Sequence, residues 1–221
     1  EGQAEIDRVV EATGMTSVAY LEHLGLLDDR IVAAHMILPT PEEIELLAKR
    51  GVGVVHCPQS NMKIGAGVAP VPKMIEAGVA VGIGTDGAGS NNDLDLLEEI
   101  DTAAKLHKLA SGDPTVLPAQ QALAMATIDG ARALDMENEI GSLEVGKRAD
   151  LIGVATDGLH QQPQDPAANP YSFVVYSTKA SDVRTVIIEG QVVVEDGQVL
   201  TLDAGEVLEK AAYFRSLLTG T

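Results

Sequence analysis

The chain has 221 residues, of which 45% are hydrophobic, and 33 acidic residues outnumber 15 basic ones for a formal net charge of -18. This charge argues against nucleic acid and against anionic membrane surfaces, since both need clustered lysine and arginine. The single cysteine, Cys57, excludes an internal disulfide and predicts a cytoplasmic location. No apolar run approaches the ~20 residues that cross a bilayer, so no membrane association is expected.

The first 139 residues alternate between amphipathic helical segments and short apolar runs rich in Val, Ile and Ala. Such runs are typical of strands buried on both faces of a parallel sheet, and the alternation predicts an α/β fold. The predicted helices lie at residues 4–13, 17–24, 41–50, 71–77, 94–109, 118–126 and 129–134. The predicted strands lie at residues 31–34, 52–55 and 79–84, and the predicted loops at 58–70 and 86–93.

The pattern changes after residue 139. Residues 140–150 are rich in turn formers, and a short strand is predicted at 151–155. Two β runs that meet at Gly190 indicate a hairpin, and a closing amphipathic helix is predicted at 203–218. We therefore predict later βα units of a barrel at 1–139, a small β-domain segment at 140–202 and a C-terminal helix at 203–221.

Each predicted strand of the first unit ends on an ionisable residue. His35 follows the first strand, His56 follows the second, and Thr85 and Asp86 follow the third. In parallel α/β folds the carboxyl ends of the strands meet at one edge, where the chemistry lies. Two histidines and a carboxylate at that edge indicate part of a metal-assisted hydrolytic site.

Asp86 and His35 are the strongest candidates. Asp86 lies among glycines, where a carboxylate has room to bind a metal ion and to accept a proton from water; alternatively, it caps the next turn. His35 is a candidate metal ligand or a hydrogen-bonding partner of the attacking water; alternatively, it is a half-buried structural residue.

The remaining histidines and the cysteine have weaker signals. For His56, structural support and direct chemistry are equally open, because the adjacent Cys57-Pro58 suggests a turn at the strand end. Cys57 is expected to be a small buried apolar side chain rather than a nucleophile. We expect His23, His107 and His160 to have surface or packing roles, because no other candidate side chains converge on them.

Four segments together resemble the amidohydrolase superfamily. They are Val32–His35, His56–Lys63, Gly84–Asp95 and Ile140–Ile152. Within the superfamily the chain resembles the 5-methylthioadenosine/S-adenosylhomocysteine deaminases, which are related to cytosine deaminases and triazine hydrolases. The resemblance spans essentially the whole chain; its motifs are specific for the superfamily and only suggestive for the substrate.

The resemblance implies a fold and a cofactor. Members are distorted (β/α)8 TIM barrels with a small β-sandwich domain and one divalent metal ion. This chain would then be the C-terminal half of such a barrel plus part of the small β-sandwich. Zinc is the expected metal, with iron, nickel or manganese as alternatives.

The resemblance also implies roles for individual residues. Asp86 matches the metal-binding Asp of the eighth barrel strand, and His35 matches the sixth-strand His that contacts the hydrolytic water. Glu1 lies where the family carries a Glu that hydrogen-bonds a ring nitrogen and shuttles a proton. Ser90 and Asn91 are expected to help bind the substrate. The family's first-strand His-x-His pair and fifth-strand His have no counterpart in this chain.

The expected activity is hydrolytic deamination of an adenine-type ring with release of ammonia. Residues 90–93 modestly favour the thioadenosine branch. One alternative is hydrolysis of another ring substituent, on a triazine or guanine-type ring. Another is a catalytically silent fragment. The expected partners are a purine-like small molecule, the missing N-terminal barrel half and further copies in a homo-oligomer; we expect this chain alone to be inactive.

Overall fold

A three-stranded parallel sheet organises the first part of the chain. The computed structural model describes residues 2–220, so Glu1 and Thr221 lie outside the described residues. The strands are β1 (Val32–Ala34), β2 (Gly53–His56) and β3 (Val81–Ile83), in that spatial order. β2 pairs in parallel with both neighbours. The residues that follow the three strands therefore emerge at one edge, as predicted.

Helices connect and cover these strands. They are α1 (Gln3–Thr13), α2 (Ser17–His23), α3 (Pro41–Arg50), α4 (Pro58–Lys63), α5 (Val71–Glu76), α6 (Leu96–Ser111), α7 (Ala119–Met125) and α8 (Ile128–Ala133). α3 shows how local sequence fixes an end: the Thr40 hydroxyl accepts a hydrogen bond from Glu43 N, and the Glu43 carboxylate accepts one from Thr40 N. This reciprocal cap satisfies two backbone donors that the helix leaves free.

The core lies between this sheet and the helices. Val54 and Val81 of the sheet pack with Met74, Ile100 and Met125, each at most 2% exposed. Burying such a side chain contributes about 1.5–3 kcal/mol.

α8 approaches the sheet unusually closely. A Cβ on Gly53 would lie 1.9 Å from the Ala133 carbonyl oxygen, and one on Gly82 would lie 3.0 Å from Gly130 Cα. Only glycine fits such an approach of two backbones. These glycines therefore let α8 pack directly across β2 and β3.

An antiparallel sheet forms the second unit. Its strands are β4 (Leu151–Val154), β5 (Val183–Ile188), β6 (Gln191–Glu195) and β7 (Gln198–Val199), in sequence order. The predicted hairpin is confirmed. Glu189 and Gly190 link β5 to β6 with φ of 50° and 78°, the signs required for a type I′ turn that matches the twist of the strands.

Two segments differ from the sequence prediction. The prediction of a loop at 58–70 is wrong for its first part, which forms α4. Pro58 suits the first position of a helix, and tertiary contacts stabilise this short helix. α9 (Pro170–Ser177) was not predicted, although Asn169 and Pro170 form a standard helix start, with the Asn169 side chain accepting from Ser172 N at 3.0 Å. α9 packs against α6 and α7.

The predicted closing helix forms α10 (Ala204–Thr219), with Asp203 as its cap. None of its described residues is buried: Val207, Phe214 and Leu218 are 51%, 59% and 88% exposed. Its apolar side chains therefore remain uncovered by the described part of the chain. No helix within residues 2–220 is both long and apolar enough to cross a membrane.

Candidate active site

The structure brings His35 and Asp86 together at the carboxyl edge of the parallel sheet. His35 Nε2 lies 3.9 Å from Asp86 Oδ2. Both residues have left-handed backbone conformations, with φ of 68° and 62°. Such a conformation costs a non-glycine residue on the order of 1–3 kcal/mol and is concentrated at functional sites. The backbone thus stores strain at the two residues that the strand-end pattern singled out.

Two hydroxyl groups converge on the Asp86 carboxylate. Ser90 Oγ donates to Oδ2 at 2.6 Å and Ser60 Oγ donates to the same atom at 2.7 Å. Together with a backbone hydrogen bond from Gly87, they lower the pKa of Asp86 to about 2. The carboxylate is therefore ionised at neutral pH, as a metal ligand must be.

His35 is oriented by a buried amide. Its Nδ1 lies 2.9 Å from Oδ1 of Asn61, which has no exposed surface. The Asn61 amide therefore contacts the Nδ1 edge of the ring, and the Nε2 edge faces Asp86. The imidazole side chain is 13% exposed.

Ser60 and Asn61 are site residues that sequence reasoning did not single out. They are consecutive in α4, directly after the strand end at His56, inside a segment that was predicted to be a loop. Their position immediately after a strand at the active edge was the available signal. One short helix thus contacts both Asp86 and His35.

The two predicted substrate-binding residues of the next loop face different surroundings. Ser90 bonds to Asp86, whereas Asn91 is buried, with Nδ2 donating to Glu99 Oε1 at 2.6 Å and Oδ1 accepting from Leu94 N at 2.6 Å. These contacts favour a loop-shaping role for Asn91. Contact of either residue with a substrate stays a prediction.

Glu99 is a buried acid that the sequence analysis missed. It has no exposed surface, and burial raises its pKa to about 7, with the negative charges of Asp93 and Asp86 acting in the same direction. Hydrogen bonds from Gln59 N and the Asn91 amide partly offset this shift. An acid between Leu97 and Ile100, on the buried face of a helix, was its sequence signal.

His56 contacts α6. Its side chain is fully buried, and Nε2 lies 3.2 Å from His107 Nε2. Burial lowers the pKa of His56 to about 3 and that of His107 to about 4, so both are neutral at neutral pH. The expectation that His107 has no converging partner is wrong, because α6 turns it inward onto β2. The contacts of His56 favour structural support.

The other weak candidates lie as follows. Cys57 is buried, as expected of a small apolar side chain. His23 is exposed. His160 lies in a second polar cluster, with Nε2 2.9 Å from Asp182 Oδ2, which corrects the expectation that it has no partner. Glu1, the predicted ring-binding acid, lies outside the described residues.

The described residues do not by themselves form a set of metal ligands. Within residues 2–220 no three His, Cys, Asp or Glu side chains are grouped to hold a metal ion. Catalytic zinc sites use about three protein ligands, of which carboxylate and imidazole are common. Asp86 has the charge of such a ligand, and His35 stands beside it. The donor chemistry fits a divalent metal, but further ligands are required.

The chain belongs to the amidohydrolase family, whose model matches residues 1–193. It is 52% identical over 208 residues to the 5-methylthioadenosine/S-adenosylhomocysteine deaminase of Moorella thermoacetica, covering 94% of this chain and 48% of that protein. It is 47% identical over 211 residues to the 5'-deoxyadenosine deaminase of Methanosarcina acetivorans, covering 96% and 48%. The chain therefore spans about half the length of the curated relatives it matches.

Solved structures agree with this placement. A crystal structure of an adenosine deaminase from Xanthomonas campestris with bound zinc matches with a TM-score of 0.95 and 39% identity, covering 100% of this chain and 50% of that one. Atrazine chlorohydrolase from Arthrobacter aurescens, complexed with zinc, matches with a TM-score of 0.89 and 28% identity, covering 96% and 47%. The mixed α/β fold is thus that of amidohydrolases.

Proposed function

We propose that this chain is the C-terminal half of a metal-dependent hydrolytic deaminase that acts on an adenine-type ring. The observation that carries the proposal is the convergence of His35, Ser60 and Ser90 on the ionised Asp86 at the strand ends. In (β/α)8 barrels this edge carries the catalytic groups.

The proposed architecture is half of a distorted (β/α)8 barrel with part of a small β-sandwich. Three parallel strands with intervening helices supply successive βα units. β1 and β3 each have one strand neighbour within the described residues, so each has an edge that a further strand could join. The N-terminal barrel half is the proposed partner at these edges.

The proposed roles follow from the contacts. A divalent metal, zinc in the first place, would be held by Asp86 and by ligands from the missing half, and would supply an activated water. Asp86 accepts a proton at its carboxylate, and His35 orients the water through Nε2. Ser90 contacts the substrate, and Glu1 protonates a ring nitrogen as the water oxygen adds to the carbon that bears the amine. The proton that Asp86 accepts then passes to the amine, so that it leaves as ammonia.

The substrate class is supported by relatives named for deamination of 5-methylthioadenosine, S-adenosylhomocysteine and 5'-deoxyadenosine. Hydrolysis of a triazine substituent is the second candidate, because the match to atrazine chlorohydrolase shares the fold. A panel of ring substrates separates these two. A cytoplasmic location and a homo-oligomer remain predictions.

The test is ammonia release by the complete protein, in which this chain is joined to the N-terminal half. With 5-methylthioadenosine as substrate, Asp86→Asn should reduce kcat by about 1000-fold or more, because the variant loses the charge of a ligand and a proton acceptor. The matched control is Asp93→Asn, which removes the same charge from an exposed position in the same loop. It should stay within about 3-fold of the parent.

Near-normal turnover by Asp86→Asn would refute the proposed role. If the parent converted only the triazines of the panel, the second candidate would replace the deaminase proposal. If it converted no member of the panel, the catalytically silent alternative would replace it.

A further inference from the structure

The Glu99 carboxylate lies behind the candidate site and joins two separate chain segments. It belongs to α6 and has no exposed surface. Its Oε2 accepts a hydrogen bond from Gln59 N at 3.1 Å, and its Oε1 accepts one from Asn91 Nδ2 at 2.6 Å. Gln59 belongs to α4 and Asn91 to the loop after β3, so a single side chain holds both segments that line the site.

The residues next to these two contacts are the ones that touch the site. Gln59 is followed in α4 by Ser60, which bonds to Asp86, and by Asn61, which bonds to His35. Asn91 is preceded by Ser90, the second hydroxyl donor to Asp86. Each carboxylate oxygen of Glu99 therefore binds a residue whose immediate neighbour in the chain contacts Asp86.

We infer that Glu99 is a positioning residue that keeps His35 and Asp86 in their relative arrangement by fixing α4 and the following loop. It acts through Ser60, Asn61 and Ser90 and does not itself touch a reacting group. The inference rests on the proposed roles of His35 and Asp86 and extends them to a residue outside the site.

A carboxylate suits this position better than its neutral analogues. Both partners are N–H donors, so both oxygens must accept. In Glu99→Gln one oxygen becomes an NH₂ group, which would face either Gln59 N–H or the Asn91 amide and lose that bond. Aspartate is shorter by one methylene group and could not reach both segments. Burial raises the pKa of Glu99 to about 7, and the two hydrogen bonds partly offset the cost of its buried charge.

The test compares Glu99→Gln with Glu98→Gln in the complete protein by amide hydrogen exchange. Glu98 is the adjacent, half-buried acid of α6, and its replacement leaves both hydrogen bonds of Glu99 in place. The Asn61 amide, bonded to Cys57 O, reports on α4, and the Asn92 amide, bonded to Ala88 O, reports on the loop. Exchange at both amides should become about 10- to 100-fold faster in Glu99→Gln only, while amides of β5 keep their rates.

A second readout is the ring ¹⁵N spectrum of His35. The parent and Glu98→Gln should show the proton on Nδ1, whereas Glu99→Gln should show a mixture of tautomers as Asn61 moves. Unchanged exchange at either reporter, or equal acceleration throughout the chain, would overturn the inference, since a merely structural residue lowers stability everywhere. Both readouts are independent of deamination, so they decide the inference even where the proposed function fails.

Asn91→Ala covers the case in which Glu99→Gln does not fold. It removes one of the two contacts of Glu99 together with the hydrogen bond from Leu94 N to Asn91 Oδ1. The loop reporter should therefore exchange faster, while the α4 reporter stays unchanged because Glu99 still accepts from Gln59 N. Equal rates at Asn92 in Asn91→Ala and the parent would contradict the inference. In the complete protein, Glu99→Gln should lower kcat by about 10- to 100-fold with KM changed less than about 3-fold, as misplacement of a catalytic group predicts.

Discussion

Different environments shift the pKa values of two nearby carboxylates, Asp86 and Glu99, in opposite directions. Asp86 is partly exposed and accepts hydrogen bonds from Ser90 and Ser60, which lower its pKa to about 2. Glu99 is buried, which raises its pKa to about 7. Asp86 therefore keeps its charge across the physiological pH range, whereas Glu99 titrates within it. Such a divergence between neighbouring acids is typical of functional sites.

Removing the two hydroxyl groups should raise the pKa of Asp86. In Ser60→Ala combined with Ser90→Ala, the carboxylate loses its two strongest hydrogen-bond donors, so its pKa should rise from about 2 toward the ordinary 3.8. Carboxyl ¹³C titration by NMR measures this directly. Ser111→Ala, at the end of α6, serves as control and should leave the Asp86 titration unchanged. A double variant that still titrates near 2 would show that the hydroxyls are not the cause.

Glu99 should make the chain less stable as pH rises. Its folded-state pKa of about 7 exceeds the ordinary 4.5, so the folded state holds the proton more tightly, and the resulting stability is lost as pH rises through 7. Between pH 4.5 and 8 the loss should reach about 3 kcal/mol. Urea denaturation of the parent and of Glu99→Gln at each pH isolates the contribution of Glu99 to the free energy of unfolding. His56 and His107 change stability with pH in the opposite direction, but equally in both proteins, so their contribution cancels when the two free energies are subtracted. A pH-independent difference would contradict the assignment.

At the scale of elements, the sequence predicted the parallel strands, the order of helices and strands around them, and the hairpin at Gly190. These features rest on local signals such as apolar runs, caps and turn residues. The loop prediction failed at α4 because that helix has only six residues and depends on contacts with Glu99, Asp86 and His35, which are distant in sequence. Ser60 and Asn61 were missed for the same reason. Glu99 was missed although its helix was predicted, because its partners Gln59 and Asn91 belong to other segments.

The contact between α8 and the sheet should tolerate no side chain at Gly53. A Cβ there would lie 1.9 Å from the Ala133 carbonyl oxygen, so α8 must shift away from β2. Gly53→Ala should lower the free energy of unfolding by about 1–3 kcal/mol or more. Gly89→Ala is the control, because a Cβ at Gly89 meets nothing within 4 Å. Equal urea midpoints for the two variants would contradict this packing.

At the scale of the whole molecule, the described residues leave apolar side chains exposed on more than one element. Apolar side chains of α10 are exposed, and so are Ile152, Ile188 and Val199 of the antiparallel sheet. We expect further protein to cover side chains of this kind. The chain also spans about half of its curated relatives. The proposed N-terminal half would add metal ligands and join the open edges of the parallel sheet.

The central claim is that Asp86 is this chain's share of a metal site completed by the other half of the protein. Zinc content, measured by plasma mass spectrometry on purified protein, tests it most directly. We expect about one zinc per complete protein and little in this chain alone. Complete protein carrying Asp86→Asn should lose most of its zinc, whereas Asp93→Asn should keep it. Full zinc occupancy with unchanged affinity in Asp86→Asn would contradict it.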